Sequence, residues 1–177
     1  MATKTLILRP TSITCDNESL VTLYPSGTTL SNAHLLVNEE VTDDDATYIT
    51  GGLGSNINYH FTFAKPDDFK NVTKFSFTVR HKLEASSQQH SIAYEIYLNA
   101  NNYTLCTMTE NSTVYSDMNE NITDDIQNSI VNALNNDQNL NFYITQAVST
   151  GNNKKSKPIR TTQMYIEITY ETNEAVI

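Results

Sequence analysis

Thr161-Thr162-Gln163-Met164-Tyr165-Ile166-Glu167-Ile168-Thr169-Tyr170-Glu171 closes a long series of alternating segments in this chain. Met164, Ile166, Ile168 and Tyr170 share one side of a two-residue period, the pattern of a strand with one buried face. A one-residue slip would turn the whole row to solvent, so the register is well specified. Lys74-Phe75-Ser76-Phe77-Thr78-Val79-Arg80 repeats the pattern. Phe75, Phe77 and Val79 take one face, and Lys74, Ser76, Thr78 and Arg80 take a face expected to be wet. Ile92, Tyr94, Ile96 and Leu98 form another row, and Leu140, Phe142 and Ile144 a further one. Shorter candidate strands are Leu20–Tyr24, Ala33–Val37, Asn58–Phe63 and Tyr103–Met108.

Turn signals stand between these segments: Pro25-Ser26-Gly27, Gly51-Gly52-Leu53-Gly54, Lys65-Pro66-Asp67-Asp68, Asn99–Asn102 and Gly151-Asn152-Asn153. Gly and Asn tolerate the positive φ of tight reversals. Short strands at such spacing indicate an all-β chain folded as an antiparallel sandwich or barrel. One helix interrupts them. Thr123 is placed to cap it, Asp124 and Asp125 suit its positive first turn, and Ile126, Ile130, Val131 and Leu134 form one stripe ending near Asn135-Asn136. Its apolar face needs a sheet to cover. Residues 31–177 make the β-sandwich domain. Residues 1–30 are read as an N-terminal arm or edge strands, and expected to reach a neighbour, because Leu6-Ile7-Leu8 and Leu20-Val21-Thr22-Leu23 are apolar with little local turn logic.

The 177 residues suit a single domain that folds without staples. Trp is absent while 10 Tyr and 6 Phe are present, a composition suited to pleated, half-buried surfaces. A net charge of −9 opposes phosphate recognition and docking on anionic membranes, so neither nucleic acid nor membrane is expected as a partner. No apolar run approaches the ~20 residues that span a bilayer, and the N-terminus shows no secretory h-region, so folding in a cytoplasm is expected. Cys15 and Cys106 are expected to be thiols.

Asp43-Asp44-Asp45, preceded by Glu39 and Glu40, is the densest acidic cluster and a candidate calcium loop. It matches no EF-hand spacing, and the alternative is a solvated turn capping backbone amides before Thr47-Tyr48-Ile49. His34, His60, His81 and His90 form no HxxxH or HExxH spacing, no nucleophile elbow or phosphate cradle is present, and neither catalysis nor a cofactor is expected. Lys154, Lys155, Lys157 and Arg160 make a basic loop, read as a solvated hairpin tip or a docking element for an acidic neighbour. Tyr48, Tyr59, Tyr97, Tyr103, Tyr115, Tyr143 and Tyr165 exceed what one core needs. Tyr103 and Tyr115 are the interface candidates among them, since tyrosine is enriched at interfaces and also stacks on sugars.

Asp43-Asp44-Asp45-Ala46-Thr47-Tyr48-Ile49 and Thr162–Tyr170 together resemble the opening and closing strands of a group of tailed-bacteriophage virion structural proteins. Phe61-Thr62-Phe63, Phe75–Arg80 and Thr123–Leu134 fall between them in matching order, so the resemblance covers roughly residues 30–172. That pattern often places Trp-Thr where Ile122-Thr123 stands here. The resemblance implies a jelly-roll-like sandwich and a non-enzymatic virion component, as head decoration, head fibre, or neck or tail collar-fibre subunit. Other virion proteins and further copies of the chain would be its partners. From another class comes a carbohydrate-binding sandwich whose aromatic residues stack on host-surface glycans.

Overall fold

The computed structural model describes residues 2–41, 43–51, 57–66, 68, 71–83, 90–110, 112–119, 123–137, 139, 141–149 and 159–172. These form two antiparallel sheets. The six-stranded sheet runs β3 (Val21–Tyr24), β4 (Tyr48–Gly51), β11 (Ile159–Glu171), β6 (Asn71–Leu83), β9 (Ser116–Asn119), with β1 (Thr3–Leu8) also paired to β11. The five-stranded sheet runs β2 (Ser12–Cys15), β5 (Ile57–Ala64), β10 (Asn141–Ser149), β7 (His90–Leu98), β8 (Asn101–Glu110). From β4 onward the strands fall in jelly-roll order, β4-β11-β6-β9 in one sheet and β5-β10-β7-β8 in the other, crossing between sheets at every connection except the β7–β8 hairpin. The chain is thus an all-β antiparallel sandwich, with one short α-helix among the described residues, α1 (Asp124–Asn136).

The apolar rows meet between the sheets. Phe75, Phe77 and Val79 of β6 and Met164, Ile166, Ile168 and Tyr170 of β11 face Ile92, Tyr94, Ile96 and Leu98 of β7, with Phe142 and Ile144 of β10, and all are buried. Leu140 lies outside the described residues. Thr78, on the side expected to be wet, is only 6% exposed. Within this core sits one polar chain that crosses from sheet to sheet. Gln146 Nε2 of β10 donates to Tyr94 Oη at 2.7 Å, and Tyr94 Oη lies 2.9 Å from His81 Nδ1 of β6. Gln146 Nε2 also lies 3.1 Å from Thr161 Oγ1 of β11. Buried polar groups are costly unless satisfied, so this chain penalises any sliding of one sheet over the other.

Residues 1–30 supply edge strands to both sheets: β1 on β11, β2 on β5 and β3 on β4. A reach into a neighbouring subunit would have to release these pairings. The segment Ala33–Val37, expected as a strand, is instead part of a 3-10 turn over Leu30–Leu36. Leu30, Ala33 and Leu36 recur every third residue, which puts them on one side of a three-residue-per-turn helix, and Ala33 and Leu36 are buried. Helix α1 occupies its expected span. Ile130, Ala133 and Leu134 are buried, and Ile126 and Val131 pack partly against the core. Thr123 holds the N-cap position without a side-chain capping bond. The C-terminal end is tied instead: Lys65 Nζ donates to the carbonyls of Leu134 and Asp137, and Asn135 bonds both backbone groups of Val72. Among the described residues no helix is long and apolar enough to cross a membrane.

β7 and β8 are joined through Asn99-Ala100, with Leu98 opposite Asn101 and φ of 49° and 62° at the two loop residues. Two positive φ values mark the tight hairpin turn whose second position favours glycine. Ala100 carries a Cβ there, at a cost of roughly 1–2 kcal/mol. Ala100→Gly should therefore raise stability by about 1 kcal/mol, read as a higher thermal midpoint, although glycine's larger unfolded entropy opposes the gain.

Candidate functional site

The Asp43–Ile49 segment lies against the start of β11, where Thr162 begins the second quoted segment. Thr161 pairs with His81 and Gln163 with Arg80, so Thr162 is the extra residue of a bulge in the β11–β6 ladder. The bulge turns Thr162 Oγ1 onto the 3-10 turn Asp44–Ala46, where it lies 3.2 Å from the carbonyl of Asp44 and 2.9 Å from that of Thr47. Gln163 Nε2 donates to Glu39 O at 2.8 Å.

The three aspartates are not gathered around one point. Asp43 Oδ1 accepts from the Thr47 amide and hydroxyl at 3.1 and 2.8 Å. Asp44 takes a two-pronged bond from Arg80, at 2.7 Å from Nε and 3.0 Å from Nη2. Asp45 pairs with Lys82 at 2.9 Å and Arg160 at 2.7 Å. Among the described residues no cluster of three metal-ligating side chains occurs. Tyr115 is part of the same assembly. Its hydroxyl lies 3.3 Å from both Asp44 O and Asp45 Oδ1, and the cationic ends of Lys82 and Arg80 sit 4.2 and 5.5 Å from its ring centre. Arg160 lies over Tyr48 at 4.4 Å, and Tyr48 stacks on Tyr24. Lys154, Lys155 and Lys157 fall outside the described residues. This end of the molecule is consequently a set of ion pairs clamping a turn to a bulged strand.

The remaining tyrosines divide between inside and outside. Tyr48 and Tyr59 are buried rather than exposed, because Tyr59 alternates in phase with Phe61 and Phe63. Burial pushes the Tyr59 phenol above its ordinary pKa. Tyr97 of β7 and Tyr143 of β10 alternate out of phase with the buried rows and project from the outer face of the five-stranded sheet. They are direct cross-strand partners, and their rings stack 4.8 Å apart at 11°. The His60 ring meets Tyr143 edge-on at 5.7 Å. Burial and the neighbouring Tyr97 raise the Tyr143 pKa.

Polar side chains surround this aromatic group. His60 Nδ1 lies 2.9 Å from Thr145 Oγ1, and His60 Nε2 lies 3.2 Å from Asp16 Oδ1. Asn58 Nδ2 donates to Asp16 Oδ2 at 2.6 Å. The His60 bond, then the Asn58 bond, draws the Asp16 pKa below its usual value. Glu95 stands one register step from Tyr97 on the same face, opposite Thr145 on β10 and Thr104 on β8. Neither Tyr97 nor Tyr143 spends its hydroxyl on a hydrogen bond to a described residue. The surface thus offers ring faces and edges ringed by hydroxyl, amide and carboxylate groups. Such a mixture fits ligands that are apolar on one side and hydroxylated on the other. Tyr103, singled out by sequence, lies elsewhere. It alternates inward on β8 and lines a groove against α1. Cys15 is a free thiol, its pKa raised by burial. The side chain of Cys106 is outside the description.

No protein-family model matches the chain, and no curated protein matches its sequence. Among solved structures, the chain is similar to TmCBM61 in complex with β-1,4-galactotriose, at 10% identity over 87% of this chain and 85% of that one, with a TM-score of 0.44. It is also similar to the CBM36-1 domain of a multidomain xylanase from the hindgut metagenome of Trinervitermes trinervoides, at 10% identity over 98% and 100%, with a TM-score of 0.45. The xylan-binding module CBM15 matches at 11% identity over 93% and 99%, with a TM-score of 0.40. At these scores the likeness assigns nothing to individual residues.

The ion-paired turn has a pH signature. Bonds from Lys82 and Arg160 hold the Asp45 carboxyl below its ordinary pKa, so its contribution to stability is present above the ordinary carboxylate range and disappears as pH falls below it. Glu39 has the opposite sign, since burial raises its pKa. Asp45 is 60% exposed, and solvent screening keeps its share small. Asp45→Asn should lower the thermal midpoint slightly at pH 7 and reduce the loss seen on acidifying below about pH 4, with midpoints measured from pH 3 to 7. Added millimolar calcium should leave both midpoints unchanged.

Proposed function

We propose that this chain is a non-catalytic, glycan-binding β-sandwich module that acts through the outer face of its five-stranded sheet. The observation that supports this is the cross-strand Tyr97–Tyr143 stack, braced by His60 and surrounded by Thr145, Asp16, Asn58 and Glu95. Sugar rings present C–H faces to aromatic surface and hydroxyls to polar neighbours, and this face supplies both kinds of partner. Antiparallel strands hold the groups rigidly, so little side-chain freedom is lost on binding.

A structural place in a tailed-phage virion is the second reading. Its support is the pattern Asp43–Ile49 with Thr162–Tyr170, whose two segments are joined by the Thr162 bonds. In that setting the chain would dock on other virion proteins or on copies of itself through its sheet edges. The two readings are compatible, because a virion-surface sandwich also meets host glycans.

Affinity electrophoresis against soluble neutral polysaccharides tests the main reading. The wild-type protein should be retarded by at least one of them. Tyr97→Ala should weaken the dissociation constant about tenfold or more, equivalent to ~1.4 kcal/mol, while leaving the circular dichroism spectrum intact. Retardation by none of a broad panel of neutral glucans, xylans, galactans and mannans would overturn it.

A further inference from the structure

The groove between β8 and α1 is separate from the tyrosine face but touches it. It encloses about 320 Å³ and is lined by Asn102, Tyr103, Thr104, Asp125, Ile126 and Ser129. Two of these residues belong to both surfaces. Asn102 is the cross-strand partner of Tyr97, and Thr104 is the partner of Glu95. Among the described residues β8 is the last strand of its sheet, and none stands between the outer face and the groove.

The stacking geometry gives the face a direction. Tyr143 has one ring face against Tyr97 and meets His60 on the strand beyond. Tyr97 stacks on Tyr143 on its β10 side, and its other cross-strand partner is Asn102 of β8, so its second ring face is turned toward β8. Adjacent strands are about 4.8 Å apart. A chain-like ligand resting on Tyr97 therefore crosses Asn102 and Thr104 and arrives at the groove mouth with its next unit.

The groove is chemically fitted to such a unit. Tyr103 and Ile126 give it an apolar wall, while Asp125, Ser129, Asn102 and Thr104 place carboxylate, hydroxyl and amide groups around it. The Tyr103 hydroxyl makes no hydrogen bond to a described residue. Charge narrows the ligand class. Asp125 lines the groove, and Asp16 and Glu95 lie on the face. The strands of the five-stranded sheet contain no Lys or Arg among the described residues. Lys82, Arg80 and Arg160 belong to the other sheet, where they pair with Asp44 and Asp45. An anionic sugar brought here would meet Asp16, Glu95 and Asp125 with no Lys or Arg on the described strands of this sheet to pair with it.

We infer that the β8–α1 groove is a second subsite of the glycan face, holding the unit of an uncharged oligosaccharide that follows the one stacked on Tyr97. This rests on the proposed glycan-binding role. It predicts that affinity grows with chain length and that acidic glycans such as polygalacturonate are refused.

Isothermal titration with a two- to six-unit series, cut from whichever neutral polysaccharide retards the protein, separates the two ideas. The wild-type protein should gain about tenfold in affinity between the shortest and the longest members. Tyr103→Ala should remove that gain while changing the shortest member's affinity less than twofold. Ser129→Trp, which fills the groove from an exposed helix position, should do the same without disturbing the core. If both variants bind the whole series as wild type does while Tyr97→Ala loses binding, the groove is no subsite and the face alone binds. If the wild-type protein binds no neutral polysaccharide, the glycan-binding role and the subsite fall together.

Discussion

The rest of the molecule depends on β11 and on the bulge at its start. This 13-residue strand pairs with β6 along its length and carries both β1 and β4 on its other edge. A bulge frees Thr162 from the ladder and turns its hydroxyl toward the Asp44–Ala46 turn, and the adjoining Arg160 clamps Asp45. Beyond the bulge, Met164, Ile166, Ile168 and Tyr170 resume strict alternation into the core. One irregularity therefore joins the chain's acidic turn to its main apolar row. It brings together two segments separated by more than a hundred residues of sequence.

The two sheets divide the chemistry. The six-stranded sheet carries the cations Arg80, Lys82 and Arg160, and spends them on Asp44, Asp45 and Asp117. The five-stranded sheet shows a face of Tyr, Thr, Asn, His and carboxylate groups whose described strands hold no Lys or Arg. Between them the His81–Tyr94–Gln146 chain keeps the layers in one alignment. That alignment fixes α1, which packs on β6 and also meets β8, and so sets the width of the groove beside the tyrosine face. Core packing and the geometry of the surface are linked through that helix.

Much of this architecture is legible in the sequence, because strict alternation reports the buried side of each strand. The rows of β6, β7, β10 and β11 and the span of α1 emerge from periodicity alone. Alternation also separates Tyr59, in phase with Phe61 and Phe63, from Tyr97 and Tyr143, out of phase with their buried neighbours. Treating all exposed-looking tyrosines alike overlooks that signal. The Tyr97–Tyr143 contact is another matter, since it depends on the register between β7 and β10, which no local pattern encodes. The same holds for the cations around Asp44 and Asp45, which come from β6 and β11. The 3-10 turn at Leu30–Leu36 is ambiguous in sequence because a short apolar run fits either period.

The most direct measurement is a two-dimensional amide NMR titration of the labelled protein with neutral oligosaccharides at millimolar concentration. The account predicts shifts concentrated at His60, Tyr97, Tyr143 and Thr145 and spreading to Asn102 and Thr104, with Arg80, Lys82 and Thr162 unmoved. Shifts centred on the Asp44–Ala46 turn and its cations, or no shifts at all, would contradict it.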